Sequence, residues 1–232
     1  MDNIVALYGH LEAGYTPRKV SISRWALMEI VRVIAVLCSF LSSLAYGASS
    51  APPPSWPVPD IKTSSISTQP VTGVTLGSFE VVFERTTFKD VVGALGEAPI
   101  QQQGDAGEFQ MWVCYTLVAS HARVWLTSSE LGGQKYIDGM VALRISSDVK
   151  SSPECPDLGS QHALAAIDRG IWLGTPLQKV KAILGRPNKS PKAVIYYSYA
   201  GKDGTFDVNS TLALRMRNNI VTELHAMHSA TN

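Results

Sequence analysis

Few cysteines, almost no net charge and short hydrophobic runs set the first limits on this sequence. Its 232 residues include 3 cysteines and 5 histidines, and the formal net charge is +1. A nearly neutral chain lacks the excess of lysine and arginine on which affinity for nucleic acid depends. No run after residue 50 has the roughly twenty apolar residues that a membrane-spanning helix needs. The composition therefore argues against nucleic acid as a partner and against a membrane span after the first segment.

Short motifs for nucleophilic catalysis and for phosphate or dinucleotide binding are missing as well. The chain has no G-x-S-x-G elbow, no G-x-x-x-x-G-K-[ST] loop and no G-x-G-x-x-G turn. His225 and His228 have no cysteine or carboxylate at ligand spacing, which favours surface histidines over a metal site. Asp203 and Asp207 lack the bidentate glutamate and spacing of a calcium loop. We therefore predict a protein that is not an enzyme, with no catalytic residue, no metal site and no cofactor.

Residues 1–47 have the order of a secretory signal peptide. Basic residues precede a short apolar run at 33–45, and Ala45 and Gly47 are small residues at the −3 and −1 positions. We predict cleavage after Gly47, a periplasmic or secreted protein, and no membrane span in the mature chain; an uncleaved anchor is the alternative. Met28 begins a more compact signal and is an alternative start of translation.

A segment rich in proline and serine, residues 48–70, follows the signal. It has no apolar period, so it cannot bury enough surface to fold alone, and its prolines keep it semi-extended. We interpret it as a disordered tether in front of the folded part. A recognition role for its PPPSWP stretch is an alternative with less support in the sequence.

The two cysteines that follow the signal and tether are Cys114 and Cys155. Two cysteines in an oxidising compartment favour a single disulfide bond between them. Two buried free thiols are the alternative. Because export is inferred from the signal and not from the cysteines, the two arguments are independent, and we predict the disulfide.

The rest of the chain contains two similar segments. Residues 86–99 and 175–187 each predict a short amphipathic helix that ends at a glycine and is followed by a proline. Strand-like runs with alternating apolar residues follow each helix, at 109–117, 122–128, 140–146, 193–200, 211–217 and 220–227.

A helix followed by three strands, occurring twice, indicates a tandem repeat. We predict an α+β fold in which each repeat is a short helical layer packed on a three- to four-stranded antiparallel sheet. The first repeat spans 71–150, the connector 151–170 and the second repeat 171–232.

The second repeat carries a recognisable residue pattern: a glycine, a valine six residues later, Leu-Gly-x-Pro, an aromatic strand and a closing hairpin. The positions in question are Gly174, Val180, Leu184, Gly185 and Pro187. This pattern resembles the BamE (SmpA/OmlA) fold, and the β-lactamase inhibitor protein family uses the same unit in tandem. The resemblance covers roughly 80–228 and implies a binding role, either in envelope assembly or as a hydrolase inhibitor.

Strand alternation separates aliphatic side chains from a set of tryptophans and arginines on the opposite face. Tryptophan and arginine are the residues enriched at binding hot spots, and two tyrosines alternate together in a neighbouring strand. The predicted partner-binding residues are Trp112, Arg123, Trp125, Arg144, Tyr197, Tyr199, Arg215 and Arg217. The alternative is that the tryptophans are covered by the other repeat or by the connector.

The sequence thus predicts an exported, non-catalytic protein-binding module of the bacterial envelope, acting as a scaffold or a hydrolase inhibitor. Two alternatives stay open: an enzyme acting on an envelope polymer, and a structural protein that self-associates. Residues 71–158 hold 6 basic against 11 acidic residues, and residues 160–232 hold 9 against 4. Opposite charges on the two halves could steer a partner or favour weak head-to-tail self-association; drift between the two similar halves is the alternative.

Overall fold

The structure is a computed structural model. The chain divides into two units, Met1–Ser49 and Ser50–Asn232. The predicted signal peptide and most of the predicted tether lie outside the residues that the structure describes. Those residues all belong to the second unit and are 52–55, 66–105, 109–130, 133–189 and 193–232.

β-Strand is the main regular secondary structure of the described chain. The strands are β1 (Gly73–Leu76), β2 (Phe79–Val82), β3 (Gln101–Gln103), β4 (Gln110–Leu117), β5 (Ala122–Ser129), β6 (Gly139–Arg144), β7 (Ala165–Ile167), β8 (Asn188–Lys189), β9 (Val194–Asp203), β10 (Phe206–Arg217) and β11 (Ile220–Thr231). The α-helices of the described residues are α1 (Phe88–Leu95) and α2 (Leu177–Leu184).

The strands form two antiparallel sheets. The large sheet has eight strands in the order β3-β4-β5-β6-β11-β10-β9-β8, and the small sheet has the order β2-β1-β7. In the large sheet β3 to β6 form one meander and β8 to β11 form another. The two meanders are joined where β11 pairs with β6, with Ala226 opposite Met140. The large sheet is therefore continuous from one meander to the other.

The structure corrects the predicted fold class. The chain is not an α+β protein made of two tandem repeats, each a helical layer on its own three- to four-stranded sheet. The described part is mostly β, with sheets of eight and three strands and two helices of eight residues each. The β6–β11 pairing merges the strands predicted for two sheets into one. The predicted connector also contributes a strand, since β7 pairs with β1.

One face of the large sheet, the inner face, packs against the helices and the small sheet. Alternate residues of its strands, among them Val113, Leu126 and Leu212, are buried in one hydrophobic core. Helix α1 adds Phe88, Val91 and Leu95 to this core, and Val180 and Leu184 do so from α2. Because strand side chains alternate between faces, the other residues of the same strands point to the opposite face.

The same tyrosine contact occurs at the end of each helix. The Tyr115 hydroxyl donates a hydrogen bond of 2.8 Å to the Gly96 carbonyl oxygen, and the Tyr197 hydroxyl donates one of 3.1 Å to that of Gly185. Each glycine follows its helix with a positive φ and leaves a carbonyl that the helix does not use. Burial raises the pKa of both tyrosines to about 12. The hydroxyls therefore stay protonated and hold the helix ends on the sheet.

We expect Tyr115→Phe and Tyr197→Phe each to lower the free energy of unfolding by about 1 kcal/mol, since each removes a buried hydrogen bond. The pKa in the folded chain lies above the ordinary value of 10.0, so folding opposes deprotonation. The stability of the wild type should hold below pH 10 and fall as the pH rises from 10 towards 12. Urea unfolding at pH 8 and pH 11 of the wild type and of the variant that carries both Tyr115→Phe and Tyr197→Phe measures this. An equal fall in the free energy of unfolding of the two proteins would contradict the prediction.

Candidate binding face

The outer face of the large sheet is the face opposite the inner face. Strand register aligns one residue from each of five neighbouring strands in a single row across it. In order from β5 to β9, the row consists of Trp125, Val141, His225, Ala213 and Tyr196. Three rings thus alternate with two smaller apolar side chains.

The β4–β5 end of the outer face is covered by the segment that follows β6. Trp112 and Trp125 are only 1% and 2% exposed, and both pack against the Cys114–Cys155 disulfide. Trp112 Nε1 donates to Gln101 Oε1 at 3.0 Å. The predicted disulfide is therefore confirmed, and the two tryptophans are buried under the segment that carries Cys155.

Backbone hydrogen bonds hold this covering segment against β4. The Thr116 N–H donates to the Pro156 carbonyl at 2.8 Å, and the Leu158 N–H donates to the Thr116 carbonyl at 2.9 Å. The Thr116 hydroxyl also donates to the Cys155 carbonyl at 3.0 Å. The segment is therefore anchored to β4 by the disulfide and by three hydrogen bonds around Thr116.

A cavity of about 260 Å³ lies on the outer face, over β5, β6, β11 and β10 and the start of β4. Its wall includes three residues from the predicted tether, Pro53, Pro54 and Ser55. The rest of the lining mixes apolar and polar residues: Gln110, Thr127, Ser129, Asp138, Met140, Val141, Thr211, Ala213, His225, Ala226 and Met227. Pro53 is buried and Pro54 is half-buried. This part of the tether is therefore packed on the sheet instead of extending away from it.

His225 is the one imidazole among the residues that line this cavity. Burial, and secondarily the positive charge of Arg215, lower the pKa of His225 to about 3. The ring is consequently neutral at neutral pH and offers an uncharged surface. The prediction of a surface histidine is corrected here, since His225 is half-buried on a sheet face. His228 is also half-buried, with its Nδ1 3.1 Å from Glu84 Oε2.

A second depression, of about 420 Å³, lies where β6, β10 and β11 meet at one end of the sheet. Arg144, Arg215 and Arg217 line it together with Glu223. Arg215 Nε is 3.0 Å from Glu223 Oε2. Within the described ranges, neither Arg144 nor Arg217 forms an ion pair, and both are exposed. We call these four residues the arginine cleft; its net charge is positive.

The eight predicted binding residues do not form one surface. Three of the arginines meet in the arginine cleft. Arg123 lies against Trp125, its guanidinium carbon 6.0 Å from the ring centroid, and both tryptophans are buried. Tyr197 is 0% exposed in the inner core, and the half-buried Tyr199 belongs to the same strand face.

The residues that sequence reasoning missed are those of the cavity, namely Pro53, Pro54, His225 and Met227. Strand alternation was a usable signal for two of them. His225 and Met227 share a strand face with Glu223, which lies opposite the predicted Arg215. For the prolines the composition predicts a tether, and a recognition role of the PPPSWP stretch was the alternative with less support.

No known protein family matches the chain, and no curated protein or solved structure is similar to it. The resemblance to BamE proteins therefore stays a prediction from the sequence. Across the described residues, no three His, Cys, Asp or Glu side chains are grouped so that they would hold a metal ion. Within the same part of the chain, no helix is long and apolar enough to cross a membrane.

Proposed function

We propose that this chain is an exported, non-catalytic module of the bacterial envelope that binds a protein partner through the outer face of its large sheet. The observation that carries the proposal is the outer-face cavity, whose wall includes a segment of the same chain packed against the strands. A surface that seats extended peptide in its own chain has the shape and polarity to seat peptide from another protein. Scaffolding and inhibition of a hydrolase are both versions of this role.

The arginine cleft supports a protein partner with acidic groups. It opens at one end of the same sheet, and Arg144 and Arg217 are exposed there. Guanidinium groups bind carboxylates through paired hydrogen bonds, and charged residues at the rim of an interface accelerate association. An apolar cavity and a basic cleft on one sheet fit a partner that presents an apolar segment next to carboxylates.

The disulfide supports the exported location. Structural disulfides form and persist in oxidising compartments such as the periplasm or the extracellular space. The Cys114–Cys155 bond joins residues 41 positions apart and holds the segment that buries two tryptophans. The presence of this disulfide agrees with the export that the signal-like order of residues 1–47 predicts.

The test is affinity capture from an extract of the native host, comparing the wild type with a cavity variant and a cleft variant. The first, Met227→Asp, puts a charge into the cavity at a residue that is 42% exposed and so tolerates a polar side chain. The second, Arg144→Glu with Arg217→Glu, reverses two charges of the arginine cleft. We expect at least a tenfold weaker association for Met227→Asp, as for a hot-spot residue. The arginine variant should associate more slowly, most clearly at low salt.

Matched controls place the same charges elsewhere. Leu164→Asp changes an apolar residue that is 83% exposed, and Lys179→Glu with Lys181→Glu reverses two exposed charges on α2. One stoichiometric protein that the wild type and both controls retain, that Met227→Asp loses and that the arginine variant captures more slowly, supports the proposal. Equal recovery with all five proteins, or none with any, would count against it.

A further inference from the structure

We infer that the outer face around this cavity is a receptor for proline-rich peptide and that residues 52–55, which form one wall of the cavity, occupy part of that receptor in cis until a partner's proline-rich segment replaces them. The inference rests on the proposed function and names the chemistry of the partner. Its starting point is the position of Pro53 and Pro54, which line the cavity together with residues from five strands of the large sheet.

The residues of the cross-strand row suit proline recognition. Val141, His225 and Ala213 belong to the cavity. Trp125 and Tyr196 are next in the row at either side, but they are only 2% and 5% exposed, so His225 is the ring of the row that lines the cavity. Polyproline helices bind in grooves lined by aromatic rings. The neutral His225 ring between two smaller side chains leaves a hollow on each side of it.

The spacing of this row matches the repeat of a polyproline helix. Neighbouring strands lie about 4.8 Å apart, so rings on alternate strands are about 9.6 Å apart. A polyproline helix has three residues per turn and rises about 3.1 Å per residue, which gives a repeat of about 9.3 Å. A segment that crosses the strands would therefore place every third residue in an equivalent position, over Val141 and then over Ala213.

The chain's own sequence contains this period. Pro54 and Pro57 are three residues apart in the proline-rich stretch that begins at Pro52. A proline-rich segment is already extended when free, so it loses little conformational entropy on binding. The burial of Pro53 shows that one residue of this run is seated, as the inference requires.

Occupation in cis makes the receptor self-inhibited. A segment linked to its own site competes at an effective concentration of about 1 mM. A free peptide with an intrinsic Kd of about 100 µM would then bind the wild type about tenfold more weakly than a chain without the segment. Removing the cis prolines should therefore strengthen the binding of added peptide, although it removes no residue from the sheet.

The experiment measures fluorescence anisotropy of a labelled peptide with the sequence of residues 51–59, APPPSWPVP. The proteins are the wild type and a triple variant, Pro52→Gly with Pro53→Ser and Pro54→Gly, both with the disulfide formed. We expect about tenfold tighter binding to the triple variant. Adding Met227→Asp to the triple variant should abolish this binding. Adding Ile220→Asp, which changes an exposed apolar residue of the same strand outside the cavity, should not.

The outcomes separate this inference from the proposed function. Equal affinity for the wild type and the triple variant would overturn occupation in cis. A peptide with alanine at every proline that binds equally well would overturn proline recognition. No peptide binding by a triple variant that still captures a partner through Met227 would refute the inference and leave the proposed function standing. A dimer of the triple variant that Met227→Asp dissociates would identify a second copy as the occupant and would also refute it.

Discussion

Trp125→Ala is expected to lower the free energy of unfolding by about 3–5 kcal/mol, the range for removing a large aromatic side chain from a packed core. Trp125 is 2% exposed and packs between Val141 and the Cys114–Cys155 disulfide. Truncation would leave a cavity that the covering segment cannot close, because backbone hydrogen bonds at Thr116 and the disulfide fix its position. Urea unfolding followed by far-UV circular dichroism measures the effect.

Arg215→Ala is the matched control for this prediction. Arg215 lies on the same outer face, but its side chain is 38% exposed and its ion pair with Glu223 is at the surface. Such pairs contribute at most about 1 kcal/mol. We therefore expect a small change in stability. A Trp125→Ala protein as stable as the Arg215→Ala protein would mean that the tryptophan is not core, and the burial of the β4–β5 end would have to be reconsidered.

Removing the disulfide by Cys114→Ala with Cys155→Ala is expected to cost about 4 kcal/mol of stability. The bond closes a loop with a sequence separation of 41, and the chain-entropy relation gives about 4 kcal/mol for a loop of that length. The bond also presses the covering segment onto Trp112 and Trp125. Its loss should therefore shift tryptophan fluorescence to longer wavelength before global unfolding, as the two rings meet water.

Reduction of the wild type provides an independent version of this experiment. Dithiothreitol should bring the unfolding midpoint of the wild type to that of the double alanine variant and leave the variant itself unchanged. Replacing both cysteines avoids an unpaired thiol, which would complicate the comparison. A midpoint for the double variant within experimental error of the oxidised wild type would show that the backbone hydrogen bonds at Thr116 suffice without the disulfide.

The sequence located individual elements better than their assembly. The runs predicted at 122–128 and 140–146 correspond to β5 and β6. The two segments predicted as helices, 86–99 and 175–187, contain α1 and α2. Alternation and helix-ending glycines are local signals, so one sequence suffices to see them. The β6–β11 pairing depends on which edges meet after the chain has folded, and no local pattern encodes that choice.

The difference between local patterns and long-range packing also explains which site residues the sequence predicted. Arg215 and Arg217 were assigned to one group because alternation places them on one strand face, and they line one cleft. Trp112 and Trp125 were also on the predicted face, but a segment distant in sequence covers them. Pro53 packs on strands that begin at Gln110 or later in the sequence. The proline-rich composition around Pro53 predicts only an extended conformation. Long-range packing was therefore the missing information.

The pairing of β6 with β11 also has a consequence for the order of synthesis. Strand β6 is complete well before β11, its neighbour in the middle of the large sheet, has been made. Until then β6 presents an edge of unpaired backbone groups, of the kind on which other chains assemble. The two meanders of the large sheet can therefore pair only after β11 has emerged. Pairing between strands so distant in sequence slows folding. During synthesis the edge of β6 therefore stays unpaired until β11 is made. A chaperone that covers this edge would raise the yield of folded protein.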